Sequence, residues 1–356
     1  MRNFIRGMIP PFMAIGIAVL IGALGMLATG HDPFQAYGAL FAGAFGSKVN
    51  FANTLANSVP LILSGLGVAL SFKAGLFNIG AEGQYWIGSM GAVWIGYSIS
   101  GLPLMLHVAL AFFVGMMLAG LWAGIIPGLA KALVGAHEVI TTMMMSYIAI
   151  YLSHYMLENG PMMVPGYTPQ SPVILPSAQL GMIVERSQLS WGIAVALAAA
   201  GLVYGLIYKT TWGFRLRTVG LNPRASRYAG INVSLYMVLA LFISGALAGL
   251  AGAVQMLGVQ HRLYDSFSSG YGYTAIVVAL LANNHPFGVI LAAVFFAALS
   301  TGGQAMQIAS GVPAHLTEMI SGIIIFLVAA KELGSFLRRK HHGKVNLLSS
   351  KGGMKV

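Results

Sequence analysis

The sequence predicts an all-α membrane protein with about ten transmembrane helices. Of its 356 residues, 57% are hydrophobic and only 8% are charged, whereas about a quarter of the residues of a soluble domain are charged. Apolar runs of about 20 residues recur without an internal charge, and a helix of that length crosses the hydrocarbon layer of a bilayer. We therefore expect lipid to surround most of this chain.

Long apolar stretches predict the individual spans. The first runs from about Met8 to Ala28 and follows Arg2 and Arg6. It resembles a signal peptide but is long for one and has no clear small-x-small cleavage site, so we interpret it as a span. From Tyr273 to Ala330, polar residues and prolines interrupt apolar sequence, and three shorter or broken spans fit best. The spans between are predicted near residues 53–72, 81–99, 104–130, 138–157, 190–208 and 234–257.

The distribution of basic residues predicts the orientation. Lysine and arginine collect in cytoplasmic loops, and the loop after the span at 190–208 holds five basic residues and no acidic one. We therefore place this loop, the N-terminus and a basic tail at 336–356 in the cytoplasm. The proline-rich segment Glu158–Gln188 is poor in positive charge and is expected outside. The basic residues of the loop are Lys209, Arg215, Arg217, Arg224 and Arg227.

A short repeat indicates two related halves. The pattern Leu-x-x-Ser-Gly at 61–65 recurs at 241–245, each time in a Gly- and Ala-rich span that leads to a polar break. We predict a single transmembrane domain, residues 1–335, with two inverted five-helix halves (about 1–185 and 186–335) and broken or re-entrant helices. Chance also produces such a pattern in a chain with 46 glycines, so the repeat is supporting evidence only.

The first polar break is a candidate pathway lining. Asn78, Glu82 and Gln84 interrupt apolar sequence there, among glycines that loosen the backbone. Ionisable groups persist at membrane depth only where protein buries them or water reaches them, although an ordinary inter-helix loop explains Asn78 and Glu82 equally well. Trp86 is compatible with an interfacial belt, and Glu138 with pairing to His137 or to a basic group at a helix end. The candidate pathway residues are Phe77, Asn78, Glu82, Gln84, Trp86, Glu138 and Thr141.

Four stretches resemble a known family: Ala74–Gln84, His137–Met145, Leu216–Asn232 and Gly270–Leu281. They resemble the permease subunits of bacterial ABC importers of the nucleoside and simple-sugar type, which is related to the ribose and branched-chain-amino-acid permeases. The family usually has Asn where His137 stands. The resemblance covers residues from about 50 to 330 and implies a non-enzymatic permease that forms the pathway for a nucleoside or related simple sugar.

The resemblance assigns contact with an ATPase to the segment around Asn222–Ile231. Asn222 is a suitable cap for a short helix with Pro223 at its first position. The alternative is a positive loop that binds only anionic lipid headgroups. The candidate coupling residues are Gly220, Asn222, Pro223, Arg224, Ala225, Arg227, Tyr228, Ala229 and Gly230.

The resemblance also implies the partners. The sequence has no Gly-x-x-x-x-Gly-Lys-Ser/Thr phosphate loop, so ATP and Mg are expected on a separate ATPase subunit. A second permease chain, identical or different, and an external or lipoprotein substrate-binding protein complete the expected assembly in the bacterial inner membrane. We expect no cofactor in this chain. Nucleic acid is not an expected partner, because the basic residues lie between apolar spans rather than on one wettable face.

Two other classes of protein were weighed. An ion-coupled secondary transporter of a small polar solute would also have many spans and an inverted repeat, with Glu82, Glu138 and Glu318 as coupling acids. An intramembrane enzyme is disfavoured, because the chain has no cysteine and no His-Glu-x-x-His metal motif. ATP dependence of uptake distinguishes the importer from the secondary transporter.

Overall fold

A computed structural model of the protein describes residues 16–166 and 168–312, together with residues 316, 319, 320, 322, 323 and 326. The start of the first predicted span, the basic tail at 336–356 and Glu318 lie outside the described residues. Within them, all regular secondary structure is helical, and there are two isolated β-bridges, Gln170 with Tyr264 and Met182 with Ser190. The prediction of an all-helical protein is confirmed.

The described helices follow the predicted spans closely. Two of these helices include a π-helical turn, one at Gly124–Gly128 and one at Met256–Gln260. The helices are α1 (Gly16–Ala28), α2 (Pro33–Phe45), α3 (Lys48–Lys73), α4 (Ala81–Ser98), α5 (Leu104–Val134), α6 (Glu138–Glu158), α7 (Gly192–Lys209), α8 (Thr211–Leu221), α9 (Pro223–Tyr228), α10 (Val233–Gln260), α11 (Tyr271–Leu281) and α12 (Pro286–Ser310).

Five of these helices are long and apolar enough to cross a membrane: α3, α5, α7, α10 and α12. Helices α1 and α11 are apolar but shorter. Helices α4 and α6 have 18 and 21 residues, which is span length, but their polar residues leave them outside the apolar group. The chain is thus a multi-pass membrane protein. The count of ten spans stays a prediction, since most of residues 313–335 lie outside the described part.

Helix α2 was not predicted. Pro33 occupies its first position, where a missing N–H costs nothing, and the Asp32 carboxylate accepts a hydrogen bond from the Phe34 backbone N–H at 2.9 Å. These two features start the helix. Its 13 residues are too few to cross a bilayer, so a search for long apolar runs passes over it.

The contacts divide the chain into two units. One unit comprises Phe41–Gly302, and the other comprises the residues up to Leu40 together with those from Gly303 onward. In the second unit, the Tyr37 hydroxyl donates a hydrogen bond to the Val19 carbonyl at 2.7 Å and ties α2 to α1. The candidate site residues all belong to the unit Phe41–Gly302.

Glycines allow α10 to approach its neighbours at backbone distance. A Cβ added at Gly88 of α4 would collide with the Gly249 backbone of α10, and a Cβ at Gly245 would lie 2.6 Å from the Ala119 carbonyl of α5. Lipid tails are as apolar as leucine, so helices associate in a membrane mainly through such close packing. Helix α10 is therefore the centre of this unit, packed against α3, α4 and α5.

We predict that Gly88→Ala lowers the free energy of unfolding by about 2 kcal/mol, because the added methyl overpacks a backbone contact. Gly201→Ala in α7 is the matched control, since nothing lies within 4 Å of a Cβ at that position. Both changes give the same intrinsic gain in helix propensity. Thermal denaturation in detergent measures the difference, and equal melting temperatures for the two variants would contradict the packing assignment.

Candidate functional site

Two helices begin inside the bundle after irregular segments. Residues 74–80 connect α3 to α4, and residues 261–270 connect α10 to α11. Gly75 and Gly270, one in each segment, both adopt φ of +75°, which residues with a side chain rarely adopt. Gly272 packs so closely against the Ala81 and Glu82 backbone that no side chain would fit there. The N-termini of α4 and α11 therefore meet.

Glu82 lies at this meeting point and is only 3% exposed. Its Oε1 accepts hydrogen bonds from the Trp86 indole N–H at 3.0 Å and the Ser268 hydroxyl at 2.6 Å. Its Oε2 accepts from the Gly272 backbone N–H at 2.7 Å. Helix N-termini carry unpaired N–H groups and a partial positive charge. The buried carboxylate is thus stabilised by two helix ends and joins them.

Asn78 and Gln84 form a buried amide pair beside this point. The Asn78 Nδ2 donates to the Gln84 Oε1 and to the Ser244 hydroxyl of α10, each at 2.9 Å. The Asn78 Oδ1 accepts from the Gly80 backbone N–H at 2.9 Å and from the Gln84 Nε2 at 3.1 Å. These bonds hold the irregular segment against α10. Neither side chain presents an open polar surface.

Helix α6 supplies two hydroxyls to the same segment. The Thr142 Oγ1 accepts from the Ile79 backbone N–H and the Ser146 Oγ accepts from the Gly83 backbone N–H, each at 3.2 Å. Residues four apart share one face of a helix. Thr141, the predicted residue, bonds only to carbonyls of its own helical turn. Sequence reasoning missed Thr142 and Ser146, although their i, i+4 spacing was a usable signal.

Sequence reasoning also missed Ser244, Ser268 and Gly272, which contact Asn78 or Glu82 from α10 and from the start of α11. In the sequence, Ser244 stands out only as the serine of the repeated pattern Leu-x-x-Ser-Gly. Its partner is 166 positions away along the chain, so the local sequence gave no signal for the contact.

The remaining predicted pathway residues lie in aromatic and ionic contacts. Phe77 is half-buried and packs edge-on against Phe72, with ring centroids 4.8 Å apart. Trp86 is buried between Phe267 and His154, with ring centroids at 4.3 and 5.8 Å. Trp86 thereby connects this second group of rings to Glu82, to which its indole N–H donates.

Glu138 forms an ion pair with Lys131, with Oε2 and Nζ 2.8 Å apart. Lys131 lies in the last turn of α5 and Glu138 in the first turn of α6. The pair joins two helix ends, which is one of the two alternatives that the sequence left open for Glu138.

The predicted coupling segment folds as two short helices. The Asn222 side chain accepts from the Ala225 backbone N–H at 3.0 Å and Pro223 occupies the first position of α9, so the capping prediction is confirmed. Ser226 is buried, whereas Tyr228 is 95% exposed. The exposed predicted residues of this segment are Asn222, Pro223, Arg224, Ala225, Arg227, Tyr228, Ala229 and Gly230.

Gly220 connects these short helices to the first irregular segment. A Cβ at Gly220 would collide with the Lys73 carbonyl, and a Cβ at Gly75 would lie 3.0 Å from the Gly220 Cα. Helix α8 therefore rests backbone against backbone on the end of α3. Gly220 therefore contacts the start of the segment that carries Asn78.

We predict that Glu82→Gln lowers the free energy of unfolding by about 3 kcal/mol. The neutral amide cannot stabilise the partial positive charge at the two helix starts. Its NH2 group also faces one of the groups that donate to the carboxylate, so that hydrogen bond is lost. Glu185→Gln, at an exposed loop position, is the control and leaves stability unchanged. Thermal denaturation of the purified chain is the measurement, and an unaltered melting temperature of the Glu82 variant would contradict this role.

Comparisons with known proteins agree with this architecture. Residues 50–329 match the family described as branched-chain amino acid transport system, permease component. The guanosine ABC transporter permease NupP of Bacillus subtilis is 40% identical over 336 residues, which cover 93% of this chain and 95% of that protein.

Two further relatives are similar over nearly their whole length. The nucleoside ABC transporter permease NupB of Lactococcus lactis is 36% identical, with 93% of each chain covered. The glucose ABC transporter permease TsgB13 of Haloferax volcanii is 35% identical, over 92% of this chain and 90% of that protein. The resemblance found in the sequence is confirmed. This chain belongs to the family of branched-chain amino acid transport system permease components, and it is the membrane-spanning, non-enzymatic permease subunit of an ABC importer.

Proposed function

We propose that the chain forms the translocation pathway for a nucleoside in the bacterial inner membrane, with a related simple sugar as the second candidate. Two of the relatives above carry guanosine or nucleoside in their names, and the third carries glucose. The similarity extends over more than nine-tenths of this chain in each case. The nucleoside assignment follows the more similar relatives.

The proposed partners are an ATPase subunit that binds ATP and Mg, a second permease chain, and an external or lipoprotein substrate-binding protein. Helix α9 supports the first of them. It presents Arg224, Arg227 and Tyr228 at the surface, and an exposed aromatic beside cationic groups is suited to a cleft on another protein.

The proposed orientation places α8 and α9 in the cytoplasm. Lys73 lies at the same end of the unit, next to Gly220. Burial lowers the pKa of His285 below its ordinary value, and the nearby charge of Lys73 lowers it further, so the loop between α11 and α12 reaches this end too. Basic residues concentrated at one end of the helices favour the cytoplasmic side.

The two helix–segment–helix arrangements support a proposed organisation in inverted halves. Helix α3 ends at the basic end and α4 starts inside the bundle, whereas α10 ends at the opposite end and α11 starts inside the bundle. Transporters with this organisation bind their substrates where such broken helices meet. The halves at about 1–185 and 186–335 of one domain, 1–335, remain our proposal.

The proposed coupling route runs from α9 through α8 to the Gly220–Gly75 contact. From there the segment 74–80 leads to Asn78 and to Glu82 at the start of α4. Two helix ends that one carboxylate joins have two arrangements, one in which they stay in contact and one in which they are apart. Such a pair suits a two-state gate. Phe77, Asn78, Glu82, Gln84, Trp86, Glu138 and Thr141 stay proposed pathway residues. The contacts support an indirect role for the buried ones, as supports of the moving elements.

Uptake of radiolabelled guanosine tests the proposed function. We expect uptake into proteoliposomes that contain the complete importer with internal ATP, and we expect uptake to persist after an ionophore collapses the ion gradients. Uptake that needs an ion gradient but no ATP would refute the assignment as an ATP-driven importer. Uptake of glucose but of no nucleoside would make a simple sugar the substrate.

We predict that Tyr228→Ala weakens the association of the permease with the ATPase by about tenfold, because truncating an aromatic anchor at an interface commonly costs more than 1 kcal/mol. The exposure of this side chain means that the isolated chain keeps its stability. Arg224→Glu should act in the same direction, and Lys48→Glu, the same charge change at an exposed position at the opposite end, is its control. Co-purification of the ATPase at undiminished yield would contradict the coupling role.

A further inference from the structure

Helix α6 presents a row of tyrosines that the fold does not use. Tyr147, Tyr151 and Tyr155 recur every four residues, so they share one face, and they are 48%, 69% and 57% exposed. We call Tyr147, Tyr151 and Tyr155 the tyrosine face.

The depth of these tyrosines argues against lipid as their neighbour. At 1.5 Å per residue, Tyr147 and Tyr151 lie about 14 and 20 Å along α6 from Glu138, near the middle of a helix about 31 Å long. Tyrosines that face lipid collect at the two interfaces, where their hydroxyls reach water. A hydroxyl in the hydrocarbon centre has no such partner. The hydroxyls of Tyr147 and Tyr151 therefore require water or a polar group as their neighbour.

A contact between a histidine and an aspartate beside the tyrosine face indicates that water reaches this surface. The His154 Nδ1 lies 3.2 Å from the Asp265 Oδ1, and the two side chains keep 31% and 40% of their surface exposed. The His154 ring lies 6.3 Å from the Tyr151 ring and stacks on Trp86, which donates to Glu82. Two polar side chains that touch and stay partly exposed mark a surface that water reaches.

A cavity continues the same surface toward the end of the unit opposite α8. Its volume is about 510 Å³, within the range of about 300–1,000 Å³ of small-molecule sites. Asp265 both lines the cavity and contacts His154, whose ring lies next to Tyr151, so the cavity adjoins the tyrosine face. The lining residues are Thr168, Pro169, Gln170, Gln260, Arg262, Tyr264 and Asp265.

We propose that the tyrosine face lines the translocation pathway and stacks on the heterocyclic ring of the transported nucleoside, which enters by way of the cavity at Asp265. This inference rests on the proposed nucleoside substrate. Every nucleobase has a π-face, so aromatic stacking accepts any of them, and the phenol hydroxyls are available to the ribose. Rings spaced at about 6 Å along α6 provide several weak sites in series, from which a substrate is released easily.

Single-cysteine labelling tests whether water and substrate reach the tyrosine face. The chain has no cysteine, so Tyr151→Cys introduces one thiol in this subunit of the complete importer in proteoliposomes. We expect a charged methanethiosulfonate to label Tyr151→Cys, and turnover with guanosine to slow the labelling severalfold. Phe113→Cys, at a 60% exposed position of α5, should resist the reagent in lipid.

An unlabelled thiol at position 151 would overturn the proposal. Cross-linking of that thiol to a second permease chain would show a packed interface between subunits instead, which also overturns it. Labelling that guanosine does not slow would mean a hydrated face that the substrate does not contact, and the stacking role would be withdrawn.

Uptake by ring variants separates this inference from the proposed function. Loss of one stacking ring should slow guanosine uptake by about tenfold in Tyr151→Leu, whereas Tyr151→Phe keeps the ring and most of the activity. Phe113→Leu is the matched control and transports normally. If the wild-type importer takes up no nucleoside, the proposed substrate fails. If the wild-type importer takes up guanosine and the double variant Tyr147→Leu, Tyr151→Leu does so at the same rate, only the stacking role of the tyrosine face is refuted.

Discussion

The hydrogen-bonded carboxylate of Glu82 is the interaction on which the centre of this permease depends. Two helices begin inside the bundle, and each exposes unpaired N–H groups and a partial positive charge at its start. Lipid has no group that satisfies them. Glu82 contributes charge and two acceptor oxygens where α4 and α11 meet, with Trp86, Ser268 and Gly272 as its donors. Glu82 bonds to the Gly272 N–H at the start of α11 and places its charge in the first turn of α4, so it stabilises the contact between the two helix starts.

Close glycine packing makes that centre sensitive to motion elsewhere in the unit. The Gly88 contact with Gly249 and the Gly220 contact with Gly75 leave no space for a side chain. Packed elements of this kind shift between discrete arrangements rather than deform gradually. The short helix α8 thereby contacts the start of the segment that carries Asn78 through backbone atoms, which supports the coupling route that we propose from α9 to Glu82.

Helices α4 and α6 show two different uses of polar residues at membrane depth. In α4, Glu82 and Gln84 are buried and hydrogen-bonded within the chain, so they maintain the structure. In α6, Thr142 and Ser146 serve the same network from the buried side, while the tyrosines on the other side remain exposed. The buried polar groups explain how the fold is held. The exposed tyrosines are the residues that we propose as contacts for the transported molecule.

The sequence alone established that lipid surrounds most of the chain, and it also determined the fold class, the family and the starts of locally capped helices. Composition and run length depend on no distant contact, and the Asn222 cap bonds to a residue three positions away. Only the tertiary structure showed that Thr142 bonds to the first irregular segment, that Glu138 pairs with Lys131, and that Asn78, Glu82 and Gln84 are hydrogen-bonded within the chain. Each of these outcomes depends on which face a helix turns toward a partner distant in the sequence. Asn78 meets Ser244 across 166 positions, and hydropathy and motif spacing contain no information about that approach.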